Sequence, residues 1–166
     1  MTAETLRGRI EGVGETRTAR FERVLGHPPD AVWEALTSSA ALDRWFMATT
    51  LEPRVGGAAT FDAGDGPTAG TVTAWDPPHV LAYTWPFPEG GDAHVTWTLT
   101  PEDGGTATRL TLVHTALPAE WAAGYGGGWH AYLDRLEATL AGEEPPDWAE
   151  RMSELQPLYA SPADSA

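Results

Sequence analysis

The chain of 166 residues contains neither cysteine nor lysine. Without cysteine it can form no disulfide, no thiolate metal site and no cysteine nucleophile. Without lysine it cannot form the Schiff base of lysine-dependent or pyridoxal-phosphate enzymes, nor the phosphate-binding loop that requires Gly-Lys-Ser/Thr. All ten basic residues are arginine. Residue type alone therefore excludes several classes of enzyme.

Positive charge is scarce, and the formal net charge is -14 at pH 7. Affinity for nucleic acid depends on cationic residues that displace condensed counterions, so we expect no nucleic-acid partner. The same charge disfavours contact with an anionic membrane surface. We interpret the acidic surface as a source of solubility, with attraction of a cationic partner as the alternative.

Long apolar runs are also absent. None approaches the ~18 residues of a membrane-spanning helix, and the N-terminus lacks the basic and then apolar pattern of an export signal. The sequence therefore predicts a cytoplasmic protein without a membrane partner. The length fits one domain, which we place at residues 17–142. A polar lead-in at 1–16 precedes it, and a C-terminal extension at 143–160 and a disordered tail at 161–166 follow.

The spacing of apolar residues predicts an α+β fold. After a first strand, Pro29 and Asp30 favour the start of a helix, and Ser38 can cap a second one. Period-two alternation with glycine- and proline-rich separators then predicts a meander of six strands, followed by an amphipathic helix. The predicted helices cover 31–36, 40–46 and 129–140, and the predicted strands cover 18–25, 49–53, 58–62, 70–75, 80–85, 93–100 and 106–115.

One face of the predicted sheet is apolar. Val95, Trp97 and Leu99 alternate with threonines, and the next strand adds Leu110, Leu112 and His114 on one face. The terminal helix carries a matching stripe at three- and four-residue steps, made of Trp129, Tyr132, Leu133, Leu136 and Leu140. We therefore expect this helix to lie in the concave side of a bent sheet, with a hydrophobic cavity between them.

Several segments, taken in order, resemble one known family. They are residues 29–37 (PDAVWEALT), 45–46 (WF), 56–57 (GG), 70–72 (GTV), 76–78 (DPP), 81–85 (LAYTW), 108–114 (TRLTLVH) and 128–129 (GW). Over residues 18–142 the chain resembles the Hsp90-ATPase-activator homologue family, a branch of the START/Bet v1-like (SRPBCC) helix-grip superfamily. The resemblance implies a curved antiparallel sheet of about six to seven strands wrapped around a long C-terminal helix that starts near Pro118, with a pocket between them. It transfers no catalytic residue.

Aromatic and apolar side chains on the predicted inner faces are the candidate pocket residues. Large rings offer apolar area with a polar handle for a flat or lipid-like ligand, and the same rings can instead fill the core. The candidates are Trp45, Phe46, Phe61, Tyr83, Trp85, Trp97, Leu99, Leu112, His114, Trp129 and Leu133. No catalytic residue, metal site or cofactor is predicted.

Two histidines have competing interpretations. His114 falls on the inner face at a strand end, where it is either a hydrogen-bonded histidine at the edge of the core or a ligand-binding or acid/base group at the pocket mouth. His130 lies one helical turn before Asp134, and we expect the two to form a surface ion pair.

The glycines at positions 124 and 126–128 predict a break before the terminal helix, because each glycine inside a helix costs ~1 kcal/mol relative to alanine. This break could form a flexible lid beside the pocket or an ordinary loop. Further on, Trp148, Met152 and Leu155 recur at helical spacing. They predict a short helix that docks on the domain, or on a second copy of the chain in a homodimer.

These features favour a non-catalytic domain that binds a small hydrophobic or amphipathic ligand, as a carrier, a sensor or a stress-related accessory. One alternative is an aromatase/cyclase-like enzyme of the same superfamily, with His114 and Tyr83 as the candidates for proton transfer. Another is an Hsp90-type chaperone accessory, which rests on the family resemblance alone. A convergent set of polar groups deep in the cavity would favour the enzyme over the binding domain.

Overall fold

The computed structural model describes residues 8–87 and 93–160, which contain a single antiparallel sheet and four α-helices. The strands are β1 (Arg9–Glu11), β2 (Thr16–Leu25), β3 (Ala48–Leu51), β4 (Ala58–Asp62), β5 (Thr68–Asp76), β6 (Val80–Thr84), β7 (His94–Glu102) and β8 (Ala107–Pro118). The helices are α1 (Pro29–Thr37), α2 (Ser39–Trp45), α3 (Ala122–Leu140) and α4 (Trp148–Ala160). None of these helices is long and apolar enough to cross a membrane.

The strands follow the order β1-β2-β8-β7-β6-β5-β4-β3, and all neighbours are antiparallel. The strands β3 to β8 form a meander, and the last of them, β8, lies beside the long β2. Eight strands lie in the described residues, against the six to seven predicted. The additional strand is β1, which lies in the segment predicted to be a polar lead-in. Its Ile10 lies opposite Ala19 of β2. The predicted tail at 161–166 lies outside the described residues.

Alternation along β7 and β8 directs one face of the sheet into the core. Val95, Trp97 and Leu99 are at most 2% exposed, while the threonines between them remain partly accessible. Leu133 and Leu136 of α3 belong to the same buried cluster. Burial of a leucine-sized side chain contributes ~1.5–3 kcal/mol, so these surfaces hold the sheet and α3 together. The predicted inner face is confirmed.

The two short helices between β2 and β3 bring Trp45 into the core. Proline at the first position of α1 is tolerated because its missing N–H has no intrahelical partner there. Ser38 caps α2, accepting a hydrogen bond of 3.4 Å from a backbone N–H of its first turn. The Trp45 indole then donates to the Ala35 carbonyl at 2.8 Å and meets the Trp97 ring edge-on at 6.0 Å.

Helix α3 runs without interruption from Ala122, so the predicted break over residues 124–128 is wrong. Its glycines allow α4 to approach closely. A Cβ at Gly126 would lie 2.5 Å from Tyr159 Cγ, and a Cβ at Gly127 would lie 3.0 Å from Gln156 Cα. Tertiary packing therefore compensates for the low helix propensity of glycine, and the helix begins near the position that the family resemblance implied.

Helix α4 docks on the domain from which it emerges. The Trp148 indole donates to the Gly128 carbonyl at 3.1 Å, and Arg151 Nε lies 2.8 Å from an Asp134 carboxylate oxygen. Near the end of α4, the Tyr159 hydroxyl accepts a hydrogen bond of 2.8 Å from the Gly8 backbone N–H. Of the two predicted positions for this helix, the structure thus shows the one on its own domain.

Buried charged and polar side chains connect β2, α3 and α4. The Arg23 side chain is 1% exposed, and its Nη1 lies 2.9 Å from Asp134 Oδ1 and 3.5 Å from Glu137 Oε2. His130 is also fully buried, with Nδ1 2.8 Å from the Tyr159 hydroxyl. Burial lowers the His130 pKa to about 4. The prediction of a surface ion pair for His130 is therefore wrong: the ring is a neutral core group, with Nε2 3.8 Å from Asp134.

Candidate ligand-binding site

A cavity of about 910 Å³ adjoins the first half of α3. Its walls come from the loop between β4 and β5, the segment after β6, α3 and α4. The lining residues are Met47, Phe61, Ala63, Asp65, Gly66, Pro67, Thr68, Trp85, Pro86, Phe87, Glu120, Trp121, Ala123, Gly124, Tyr125, Gly128, Trp129, Tyr132, Trp148 and Gln156. The β4–β5 loop residues are exposed, so this side forms the rim. The volume lies in the range of ~300–1,000 Å³ that is typical of small-molecule sites.

Aromatic rings dominate the deeper wall. Trp85 lies at the centre, with ring centroids 5.1 Å from Phe61 and 5.7 Å from Trp129. On the α4 side, Tyr132 and Trp148 stack at 5.1 Å with an interplanar angle of 25°. These contacts hold the rings in fixed orientations, and half-buried rings such as Trp85 leave part of their surface for a flat apolar ligand.

Three indole N–H groups of this wall, those of Trp85, Trp129 and Trp148, already have acceptors within the protein. The Trp85 indole donates to the Tyr125 hydroxyl at 3.0 Å. Burial raises the pKa of Tyr125, and it raises the pKa of Tyr132 to about 12. Both phenols are therefore neutral at physiological pH and can act as hydrogen-bond donors. The cavity thus presents apolar surface with a few fixed polar points.

His114 lies behind the aromatic wall. It is fully buried, and its Nδ1 accepts a hydrogen bond of 2.9 Å from the Trp129 indole. That bond places the remaining ring hydrogen on Nε2, which has no hydrogen-bond partner among the described residues. Phe87 covers the ring face in parallel, with centroids 6.3 Å apart, and Tyr125 meets it edge-on at 5.2 Å. Burial, assisted by His94, lowers the His114 pKa to about 3, so the ring is neutral at pH 7.

The charged residues of the lining are both acidic. Asp65 lies in the loop between β4 and β5, and Glu120 lies in the turn before α3. Both side chains are exposed. Among the described residues that line the cavity there is no arginine or histidine. In residues 8–87 and 93–160, no group of three or more His, Asp or Glu side chains is placed to hold a metal ion.

The structure separates the predicted pocket residues into two groups. Phe61, Trp85 and Trp129 line the cavity. The others are packed in the core, at most 8% exposed, and do not line it; they are Trp45, Phe46, Tyr83, Trp97, Leu99, Leu112, His114 and Leu133. The space between the sheet and the middle of α3 is thus filled by side chains, and the open volume lies to one side of it.

Sequence reasoning missed much of the wall. Tyr125 lies among the glycines that predicted a break, so we did not place it on a helix. Trp148 and Gln156 belong to α4, whose docking position depends on the approach to Gly126 and Gly127. The available signal was the pair of adjacent glycines itself, because positions without a side chain allow another helix to pack closely. The prediction of a break considers only their low helix propensity.

The chain shows this architecture together with a specific sequence similarity. The sequence model of "Activator of Hsp90 ATPase homolog 1-like protein" matches residues 26–141. The chain belongs to this family. The resemblance and the predicted α+β helix-grip fold are thereby confirmed. No curated protein matches the chain at a significant level.

Solved structures extend the similarity over most of the chain. CalU16 from Micromonospora echinospora is 25% identical, with 93% of this chain and 92% of CalU16 aligned at a TM-score of 0.72. Protein MLL2253 from Mesorhizobium loti is 31% identical over 76% of this chain and 97% of its own, at a TM-score of 0.66. DynU16, a putative protein in the dynemicin biosynthetic locus, is 27% identical over 78% of this chain, which spans 49% of DynU16, at a TM-score of 0.69.

Proposed function

We propose that the protein binds a small ligand with a flat apolar body in the cavity beside α3. The observation that carries this proposal is the open volume of about 910 Å³ bordered by eight aromatic side chains. Filling the space with solvent leaves large ring surfaces in water, whereas an apolar ligand gains ~25 cal/mol for each Å² that it removes from water. Orientation would come from the Tyr132 hydroxyl and the Gln156 side chain.

Binding without chemistry accounts best for the arrangement of polar groups. The two carboxylates lie at the exposed parts of the lining, and the Trp85 indole and the Tyr125 hydroxyl are bonded to each other. His114 does not line the open volume, and its ring is parallel to that of Phe87, which does. We therefore propose a carrier or sensor role in which the ligand is held and released unchanged.

A titration with 1-pyrenemethanol tests this proposal. The pyrene ring is flat and apolar, and energy transfer from the wall tryptophans reports its arrival. We expect saturable quenching of tryptophan emission and a rise of Tm that grows with probe concentration, because a ligand that binds only the folded state stabilises it.

Substitutions at Gly124 provide a blocked cavity and a matched control. A Cβ at Gly124 meets no atom within 4 Å, although the residue lines the cavity. Gly124→Phe should project a ring into the open volume and abolish binding, whereas Gly124→Ala adds only a methyl group and should reduce affinity far less. Equal affinity in all three proteins would refute the assignment of the cavity as the binding site.

A second candidate function is an aromatase/cyclase-like aldol closure, favoured by the protonated, unpartnered Nε2 of His114. One carbon–carbon bond would form as the attacking carbon gives a proton to solvent water and the ketone oxygen takes one from His114 Nε2–H, which solvent then reprotonates. Phe87 would have to move to admit the substrate, which ranks this candidate below binding. Incubation with a linear poly-β-ketone thioester tests it: equal product yields from wild type and His114→Asn would exclude the role.

A further inference from the structure

The charges around the cavity indicate which ligands it selects. We infer, on the basis of the proposed binding function, that the ligand carries a positively charged ammonium group beside its flat apolar body. Asp65 and Glu120 are the charged side chains of the described lining, and both are acidic residues. An ammonium group near either carboxylate would gain Coulomb energy, while a carboxylate or sulfate would be repelled.

Aromatic faces provide the second attraction for a cation. Glu120 is followed directly by Trp121, which is 37% exposed and packs against Phe87 with ring centroids 5.4 Å apart. Tyr125, one turn further along, contacts the same Phe87 ring at 5.7 Å. Ammonium groups bind over the faces of tryptophan and tyrosine, and aromatic cages recognise quaternary ammonium in this way. A carboxylate beside partly exposed aromatic rings is therefore a suitable place for an organic cation.

The arginines of α3 and α4 are already paired, which disfavours an anionic ligand. Arg135 donates to the backbone carbonyls of Trp45, Arg44 and Pro146. Arg151 pairs with Asp134 at 2.8 Å and with Glu154 at 3.3 Å. An anion in the cavity would have to separate one of these groups from its partners or remain unpaired, and either outcome lowers affinity.

Three probes with one ring system separate charge from shape. They are 1-pyrenemethylammonium, 1-pyrenemethanol and 1-pyreneacetate, which present a cation, a neutral group and an anion on the same ring and methylene. Titrations at low and moderate salt should give the order cation, then alcohol, then carboxylate. We expect each step to be about twofold to fivefold in Kd, as for a single exposed charge pair in water, and to shrink as salt increases.

Charge-neutralising variants locate the effect. Asp65→Asn and Glu120→Gln should each reduce the ratio of cation affinity to alcohol affinity by about twofold to fivefold. Glu34→Gln removes the same charge from an exposed position of α1 that does not line the cavity, so it should leave this ratio unchanged. The use of a ratio within each variant removes any general effect on folding or cavity shape.

The outcomes distinguish this inference from the function on which it rests. Preference for the cation that is reduced by Asp65→Asn and Glu120→Gln, but not by Glu34→Gln, would support it. Equal affinities for the three probes would overturn the charge inference and leave the binding function intact. A preference reduced equally by all three variants would show attraction by net charge alone and would also overturn it. Absence of binding by every probe would overturn both proposals.

Discussion

Replacing Gly126 by alanine tests the account of how α4 completes the cavity. The new Cβ would lie 2.5, 2.7 and 2.9 Å from Tyr159 Cγ, Cδ1 and Cβ. Those atoms belong to the root of a ring that is 3% exposed and whose hydroxyl bonds Gly8 and His130. The ring cannot move to make room while its hydroxyl keeps these hydrogen bonds. Helix α4 therefore has to move away from α3.

Opposing contributions set the magnitude. Alanine gains ~1 kcal/mol of helix propensity over glycine. Overpacking in a well-packed core costs ~1–3 kcal/mol, and each hydrogen bond lost at the Tyr159 hydroxyl costs ~1 kcal/mol more. We expect a net loss of about 1–4 kcal/mol, which for a chain of this length lowers Tm by about 2–16 °C.

Thermal and urea unfolding measure this change, with Gly124→Ala as the control in the same helix. No atom lies within 4 Å of a Cβ at Gly124, so that variant should gain up to ~1 kcal/mol from helix propensity. Gly126→Ala should also weaken 1-pyrenemethanol binding, because Trp148 and Gln156 reach the cavity from α4. If Gly126→Ala proved as stable as Gly124→Ala, the close approach of the two helices would be refuted.

Further predictions concern buried polar groups, each checked by urea unfolding. His114→Phe leaves the Trp129 indole without its acceptor and should cost ~1–3 kcal/mol, whereas His114→Asn keeps an acceptor and should cost less. Because His114 and His130 have folded pKa values of about 3 and about 4, below the ordinary 6.5, the unfolded state binds more protons. The free energy of unfolding should therefore reach its full value above pH 6.5 and fall towards pH 4, by up to ~2.7 kcal/mol per pH unit. His114→Asn should reduce this slope. A flat profile would contradict the lowered pKa values of both histidines. Asp134→Ala removes the closest partner of buried Arg23 and should cost ~3–5 kcal/mol; a loss below 1 kcal/mol would contradict the pairing.

Much of the fold could be predicted from the sequence, because the deciding interactions repeat at short spacing. Alternation around Trp97 identified β7 and its buried face, and the three- and four-residue steps from Trp129 to Leu136 identified the face of α3. Proline at the start of α1 and serine before α2 marked helix ends by local chemistry. These signals act within a few residues of the chain, so no tertiary information was needed.

The site was harder to predict, because it depends on contacts between distant segments. A buried aromatic residue looks the same in sequence whether it lines a cavity or fills the core, so Trp85 and Trp97 could not be separated. The helical conformation of the α3 glycines depends on packing against α4, which follows about 20 residues later in the chain. The short β1 is specified by its register against β2 and carries little pattern of its own.

The eight indole N–H signals of ¹⁵N-labelled protein, followed during titration with 1-pyrenemethanol, show whether the cavity beside α3 holds an apolar ligand. Four indoles line the cavity, those of Trp85, Trp121, Trp129 and Trp148. Four lie outside it, those of Trp33, Trp45, Trp75 and Trp97. We expect saturable shifts of the first four signals with one Kd, and little change in the other four. No saturable shift, or shifts concentrated in the second group, would contradict it.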